Sequence, residues 1–215
     1  MQLSADDWQS LALTLRLAAV TTTILVALAL PLSWWLARSR NPLRHVIEAL
    51  VALPLVLPPT VIGFYLLLLF AGHGLSFTFS GLVIGSVLYS LPFVVQPLTQ
   101  AFSVIGVRPL QLAASFGASP LQRWWRVAVP LVLPGLISAV LLGFTHTLGE
   151  FGVVLMIGGN IPGVTRLVSI ALYEHVETMQ YADAHRLALC LLLLSVLLMT
   201  PVYVMLRRWQ MRYLT

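Results

Sequence analysis

Long apolar stretches alternate with short polar ones along this chain. No Asp, Glu, Lys or Arg occurs in 17–37, 49–107, 127–149 or 187–206. A hydrocarbon core about 30 Å thick takes about 20 helical residues. The 49–107 stretch is long enough for two spans, with Ala71-Gly-His-Gly-Leu-Ser-Phe77 as the break between them. The pattern predicts five transmembrane helices, roughly 12–37, 46–71, 80–103, 127–149 and 187–206. Between the last two, Val153–Gly158 is too short to span, and Gly158-Gly-Asn-Ile-Pro-Gly163 is turn chemistry. From Val164 to Val176, the residues Val164, Leu167, Val168, Ala171 and Leu172 fall near one face, which predicts a short amphipathic helix at the membrane surface. No polar segment is long enough to bury a core of its own. Residues 1–215 therefore read as a single all-α, polytopic membrane domain.

Arginine placement orients it. Arg38, Arg40 and Arg44 lie in one loop, Arg108, Arg123 and Arg126 in the 104–126 loop, and Arg207, Arg208 and Arg212 in the tail. The alternate segments hold Asp6 and Asp7, the uncharged 72–79 turn with His73, and 150–186 with Arg166 and Arg186. The positive-inside rule puts the N-terminus outside, the C-terminus in the cytoplasm and the 104–126 loop on the cytoplasmic side. Apolar residues make up 59% of the chain and charged residues 9%, so the net charge of +5 is accounted for by basic residues at bilayer edges, without a nucleic-acid partner. The first apolar run is too long, and lacks the basic lead-in, to be a cleavable signal peptide. No regulatory extension is expected after Thr215.

Candidate chemistry is sparse. The five histidines and seven acids form no H-E-x-x-H or Cys/His spacing, no G-x-S-x-G elbow is present, and Cys190 has no second cysteine to pair with. Neither a catalytic nor a metal site is expected. Lysine is absent, and a Walker A loop needs its lysine on the β/γ-phosphates. No cofactor is expected in this chain, and transport driven by ATP would need a separate ATPase that uses ATP and Mg²⁺.

Irregularities inside the spans mark pathway candidates. Leu53-Pro-Leu-Val-Leu-Pro58-Pro59-Thr60-Val-Ile-Gly63 puts three prolines in six residues. It reads either as a kink packed by neighbouring helices or as the border of a translocation path. Gln96 and Gln100, four apart, put two amides on one helical face, better suited to a pore or protein interior than to lipid. Gly81 and Gly85 have the spacing of a close helix approach. Glu150, between Gly149 and Gly152, reads either as an interfacial acid paired with Arg166 or Arg186 or as a gate residue near the outer mouth. Thr145 and Thr147 suit an anion better than the acid does.

The most structured polar segment is Gln111-Leu112-Ala113-Ala114-Ser-Phe116-Gly117-Ala118-Ser-Pro120-Leu-Gln-Arg123-Trp-Trp-Arg126-Val-Ala-Val-Pro130. It resembles the cytoplasmic signature of the membrane subunits of ATP-binding-cassette importers, in which E-A-A is followed by a glycine and, thirteen residues on, by the proline of I-x-L-P. Gly117 and Pro130 match that register, while Gln111 and Leu112 stand where the acid and first alanine occur. The resemblance implies a coupling helix that docks on an ATPase through Gln111, Leu112, Ala113, Ala114, Phe116, Gly117, Ala118, Pro120, Arg123 and Pro130, with Leu110 as part of the same small knob. The 53–63 segment, and Leu148-Gly-Glu-Phe-Gly152 through Asn160-Ile-Pro-Gly-Val-Thr-Arg166, look like the permeases of molybdate importers; sulfate and thiosulfate permeases share parts of the pattern. That resemblance implies a type I importer-like permease in the inner (cytoplasmic) membrane, carrying molybdate, with tungstate as a further cargo, or another oxyanion. Two copies would form the pore with a cytoplasmic ATPase dimer, an external oxyanion-binding protein and surrounding lipid. The pathway candidates are then Pro58, Pro59, Thr60, Gln96, Thr145 and Glu150. A channel or ion-gradient-driven carrier is the alternative of a different class.

Overall fold

The computed structural model describes residues 3–213, with side chains up to Arg207, so Arg208 and Arg212 of the inner arginine set lie outside the described side chains. Every regular element among the described residues is helical. The first, α1 (Ala5–Arg38), begins seven residues before the expected span. Ser4 and Asp7 form a capping box there, Asp7 N–H donating to Ser4 Oγ at 3.0 Å and Ser4 N–H to Asp7 Oδ2 at 3.2 Å. At 1.5 Å per residue it is about 51 Å long, more than a hydrocarbon core requires.

The expected 46–71 span is two helices, α2 (Leu43–Val56) and α3 (Pro59–Ala71), bent by 110° at their junction. The cause is local. A residue before proline is pushed out of the α region, and here that applies twice: Leu57 precedes Pro58 and Pro58 precedes Pro59. Both have extended ψ values, 138° and 137°. Pro54, by contrast, is accommodated inside α2.

Next come α4 (Phe79–Ile105), capped by Thr78, and two short helices, α5 (Arg108–Ser115) and α6 (Pro120–Arg123). A π-helical turn, Trp124–Ala128, leads into α7 (Val129–Leu148). The remaining helices are α8 (Gly152–Gly158), α9 (Val168–Glu177) and α10 (Tyr181–Tyr213). Among the described residues, α1, α4, Pro120–Leu148 and Tyr181–Arg207 are long and apolar enough to cross a membrane, and the bent α2–α3 pair makes a fifth span if counted as one.

The core lies where α1, α4 and α7 pack on one another, with Leu17, Leu25, Ala29, Val94, Leu98 and Ala139 buried in it. Ser33 Oγ bridges α1 to α4 by donating to the Val95 carbonyl at 3.1 Å. At the outer end, α9 starts at Val168, four residues later than the amphipathic pattern begins, because Val168 N–H donates to Thr14 Oγ1 of α1 at 2.8 Å. Leu167, Val168 and Ala171 are buried there as expected, whereas Val164 is exposed. By contrast, α10 leans on α7 and α9 and leaves Leu192, Leu193, Val196 and Leu197 exposed, as a lipid-facing helix would.

One segment is not the surface loop its length suggests. Val153, Val154 and Ile157 of α8 are fully buried, because α8 packs against α3 and α4. Its broken backbone is tolerated at depth since it is enclosed by protein. Phe77 N–H donates to the Ile157 carbonyl at 2.8 Å and Ser169 Oγ to the Glu150 carbonyl at 2.7 Å, which satisfies one buried carbonyl near the end of α8 and one just before its start.

Candidate coupling site and pathway

The inner ends of α1, α4 and α7 meet around one aromatic cluster. Trp34 lies edge-on to Trp124 (4.5 Å between centroids) and to Phe102 (5.3 Å), and Phe102 stacks on Trp124 at 5.6 Å. The Arg38 guanidinium sits 3.3 Å above the Trp34 ring and donates to the Gly106 carbonyl at 3.3 Å. Trp34 is thus a packing residue of this joint, while Trp35 is partly exposed, in keeping with an interfacial position.

Leu110 of α5 is buried in the same cluster beside Phe102, Ala128 and Val132. It is therefore an anchor, not part of an exposed knob: an eight-residue helix has one face to give to the protein, and Leu110 takes it. The opposite face is free. Gln111, Leu112 and Ala114 are exposed, and Phe116 at 89% is almost entirely so.

The turn that closes this outward face is capped on both sides, at the end of α5 and the start of α6. Gly117 has φ +81°. Its N–H donates to the Ala114 carbonyl at 2.9 Å and that of Ala118 to the Ala113 carbonyl at 3.0 Å, the paired bonds of a Schellman motif. Two residues on, Ser119 and Gln122 form a reciprocal capping box, Gln122 N–H donating to Ser119 Oγ at 3.3 Å and Ser119 N–H to Gln122 Oε1 at 2.9 Å, with Pro120 opening α6. The S-x-x-Q spacing is a sequence signal for this second start. The π turn that follows ends two residues before Pro130, which has no N–H to give to the Arg126 carbonyl. The loop is thus a short rigid hairpin of helices, bolted to the membrane helices by Leu110 and Trp124, that presents Leu112 and Phe116.

The pathway candidates lie in three separate places. Pro58, Pro59 and Thr60 are exposed at the α2–α3 bend. The bend rests on the start of α8, where a Cβ on Gly152 would come within 2.8 Å of Pro59 Cβ. Gln96 and Gln100 are exposed and line a cleft of about 630 Å³ between α2 and α4, which Glu48 also lines. Thr145 donates back to the Leu141 carbonyl of its own helix at 2.8 Å.

Glu150 is 4% exposed, sealed inside the chain, and neither carboxyl oxygen has a hydrogen-bond partner. Arg166 pairs instead with Glu174 at 2.9 Å, and Arg186 with Asp183 at 3.4 Å. Ser86 lies alongside Glu150 without closing a hydrogen bond. An unpaired carboxylate sealed from water is costly, and burial raises the Glu150 pKa, which favours the protonated acid. Glu150→Gln, which keeps the shape, is expected to leave uptake close to wild type. Glu150→Lys, which buries an unpaired cation, is expected to abolish accumulation in the membrane. Immunoblots of membrane fractions check this, and normal levels of the lysine variant would contradict it.

Beside Glu150 runs a polar seam between α4 and α7. Ser90 Oγ lies 2.9 Å from His146 Nδ1 and 3.2 Å from Thr147 Oγ1, and the His146 ring stacks on Phe93 at 3.7 Å. His146 is absent from the sequence-derived candidates. Its partners are more than fifty residues away, so no local spacing reveals it.

Comparison with known proteins fits this geometry. Residues 29–213 match the family described as binding-protein-dependent transport system inner membrane component. The chain belongs to this family. It is 52% identical to the molybdenum transport system permease protein ModB of Azotobacter vinelandii, over 94% of this chain and 96% of that one. It is 32% identical to the sulfate transport system permease protein CysT of Salmonella typhimurium, over 88% of this chain and 73% of that one. Among solved structures, a MetNI methionine ABC transporter in inward-facing conformations superposes with a TM-score of 0.75 at 17% identity, covering 94% of this chain and 93% of that one. The fold is that of a type I ABC importer permease, and the chain is a transport subunit rather than an enzyme.

Proposed function

We propose that this chain is the membrane-spanning subunit of an ATP-driven importer of molybdate, with tungstate, a dianion of the same shape, as a second cargo. One observation carries the choice of anion: the likeness to a molybdenum permease runs end to end at 52% identity, against 32% for the sulfate permease. Sulfate is the second reading, because that relative also matches over most of the chain.

Drive comes from outside the chain, since no lysine is present for a Walker A loop. Leu112 and Phe116 form an apolar pair on the cytoplasmic side that suits a groove on an ATPase subunit. The rigid caps at Gly117 and Ser119 and the Trp34–Trp124–Phe102 joint make the loop a lever on α1, α4 and α7. When two ATPase subunits close on ATP, the levers are drawn together and the outer side opens; hydrolysis resets them.

In a single copy the cleft at Gln96, Gln100 and Glu48 is open. Phe64, Tyr65, Leu68 and Leu69 of α3 are exposed beside the bend. Both features suit a second copy that closes the pathway between the two chains in the inner membrane. An external binding protein then meets the outer layer around Asn160 and α9.

The test of the anion is ATPase stimulation in proteoliposomes holding this chain, its ATPase and its binding protein. Molybdate-loaded binding protein is expected to stimulate hydrolysis, and excess sulfate to leave that stimulation unchanged. Sulfate stimulating equally would overturn the choice of molybdate.

A further inference from the structure

A cleft of about 750 Å³ opens at the cytoplasmic end of the chain, between the end of α1 and the α5–α6 hairpin. Pro31, Trp34, Leu110 and Trp124 give it an apolar lining, and Arg38 and Arg123 a cationic one. No acid lines it, and none occurs anywhere between Glu48 and Glu150. Arg38 Nη1 and Arg123 Nε each lack a hydrogen-bond acceptor. Neither arginine is among the ion pairs found between the described residues. Two guanidinium groups thus share one cleft with no negative charge to balance them.

We infer that this cleft holds the headgroup of an anionic phospholipid of the inner leaflet, its phosphate between Arg38 and Arg123 and its glycerol against the tryptophans. Guanidinium groups bind phosphate oxygens through charge-assisted hydrogen bonds, which would satisfy the idle donors. The depth of the cleft selects a lipid over a soluble partner. Pro31 lies seven residues before Arg38 on α1, about 10 Å further into the membrane at the helical rise. The lining therefore crosses the level at which tryptophans and headgroups meet. A side chain from a cytoplasmic protein reaches the arginines but not that floor, whereas a phospholipid spans both. The π-helical turn beginning at Trp124 shapes this wall, and such turns often mark functional positions. Bound there, the lipid joins the end of α1 to the hairpin that carries Leu112 and Phe116.

The experiment is native mass spectrometry of the full chain from nanodiscs containing phosphatidylglycerol and phosphatidylcholine in equal amounts. Wild type is expected to retain phosphatidylglycerol preferentially. Arg123→Gln is expected to lower that retention about fivefold, from roughly 1 kcal/mol per basic residue near a charged leaflet. Arg126→Gln, on the same loop but not in the cleft, should change nothing. Arg38→Gln is the second variant, with Arg123→Gln decisive because Arg38 also holds Gly106. Added inorganic phosphate distinguishes a free-anion site, and displacement of the lipid by phosphate alone would overturn the proposal. So would equal retention of the two lipids, or an Arg123→Gln variant that keeps its lipid and instead loses a co-purifying ATPase.

Discussion

Gly117→Leu is expected to abolish ATP-driven uptake while the chain still accumulates in the membrane. The glycine has φ +81°, and no atom lies within 4 Å of where a Cβ would stand. The substitution therefore meets no clash; its cost is conformational. A branched residue held in the left-handed region costs roughly 1–2 kcal/mol, which lowers the ratio of capped to uncapped hairpin roughly 5- to 30-fold. What is lost is the pair of bonds to the Ala114 and Ala113 carbonyls, and with them the presentation of Phe116. Gly117→Asn is expected to keep most of the uptake, since asparagine enters this region more readily. Uptake per ATP hydrolysed checks both variants. Equal coupling in the leucine and wild-type proteins would remove the loop from the drive mechanism.

Gly63→Leu is expected to act differently, by preventing α3 and α8 from packing. A Cβ at Gly63 would lie 2.7 Å from Met156 Cβ and 3.1 Å from Val153 Cα, and a backbone atom cannot move aside as a side-chain tip does. Overpacking of this kind costs about 1–3 kcal/mol, and here it falls on the packing of α8 against α3, beside the bend at Pro58 and Pro59. The expected result is a lowered melting temperature in detergent together with loss of uptake. Gly72→Ala, with nothing within 4 Å of its Cβ, is the control and should melt as wild type does. If Gly63→Leu melted at the wild-type temperature, α8 would not be pinned there.

What could be read in the sequence follows from what physics writes locally. Lipid forces long uncharged runs, so the spans of α1, α4, α7 and α10 are visible, although their ends overshoot where capping at Ser4, rather than hydrophobicity, sets the start. Pro58 and Pro59 announce a break, but not that the bend rests against the start of α8. That helix is hidden because seven residues carry no period, and its burial comes from α3 and α4, distant in sequence. The 111–130 segment has its start and stop residues in register, so its shape is legible. Which face of α5 turns inward is not, and Leu110 shows why: a periodic pattern groups residues on a face without saying what that face meets. The Ser90–His146 contact and the solitary burial of Glu150 arise only when α4 and α7 are side by side.

The proposed function makes this chain a pathway driven by a separate ATPase through the hairpin between Arg108 and Arg123. The most direct measurement is molybdate uptake into proteoliposomes, with this chain alone or with its ATPase and binding protein, in the presence and absence of ATP. Uptake is expected only from the full assembly with ATP, and to disappear when Phe116 and Leu112 are both replaced by aspartate. Uptake by the chain alone, driven by an ion gradient and indifferent to those two residues, would contradict it.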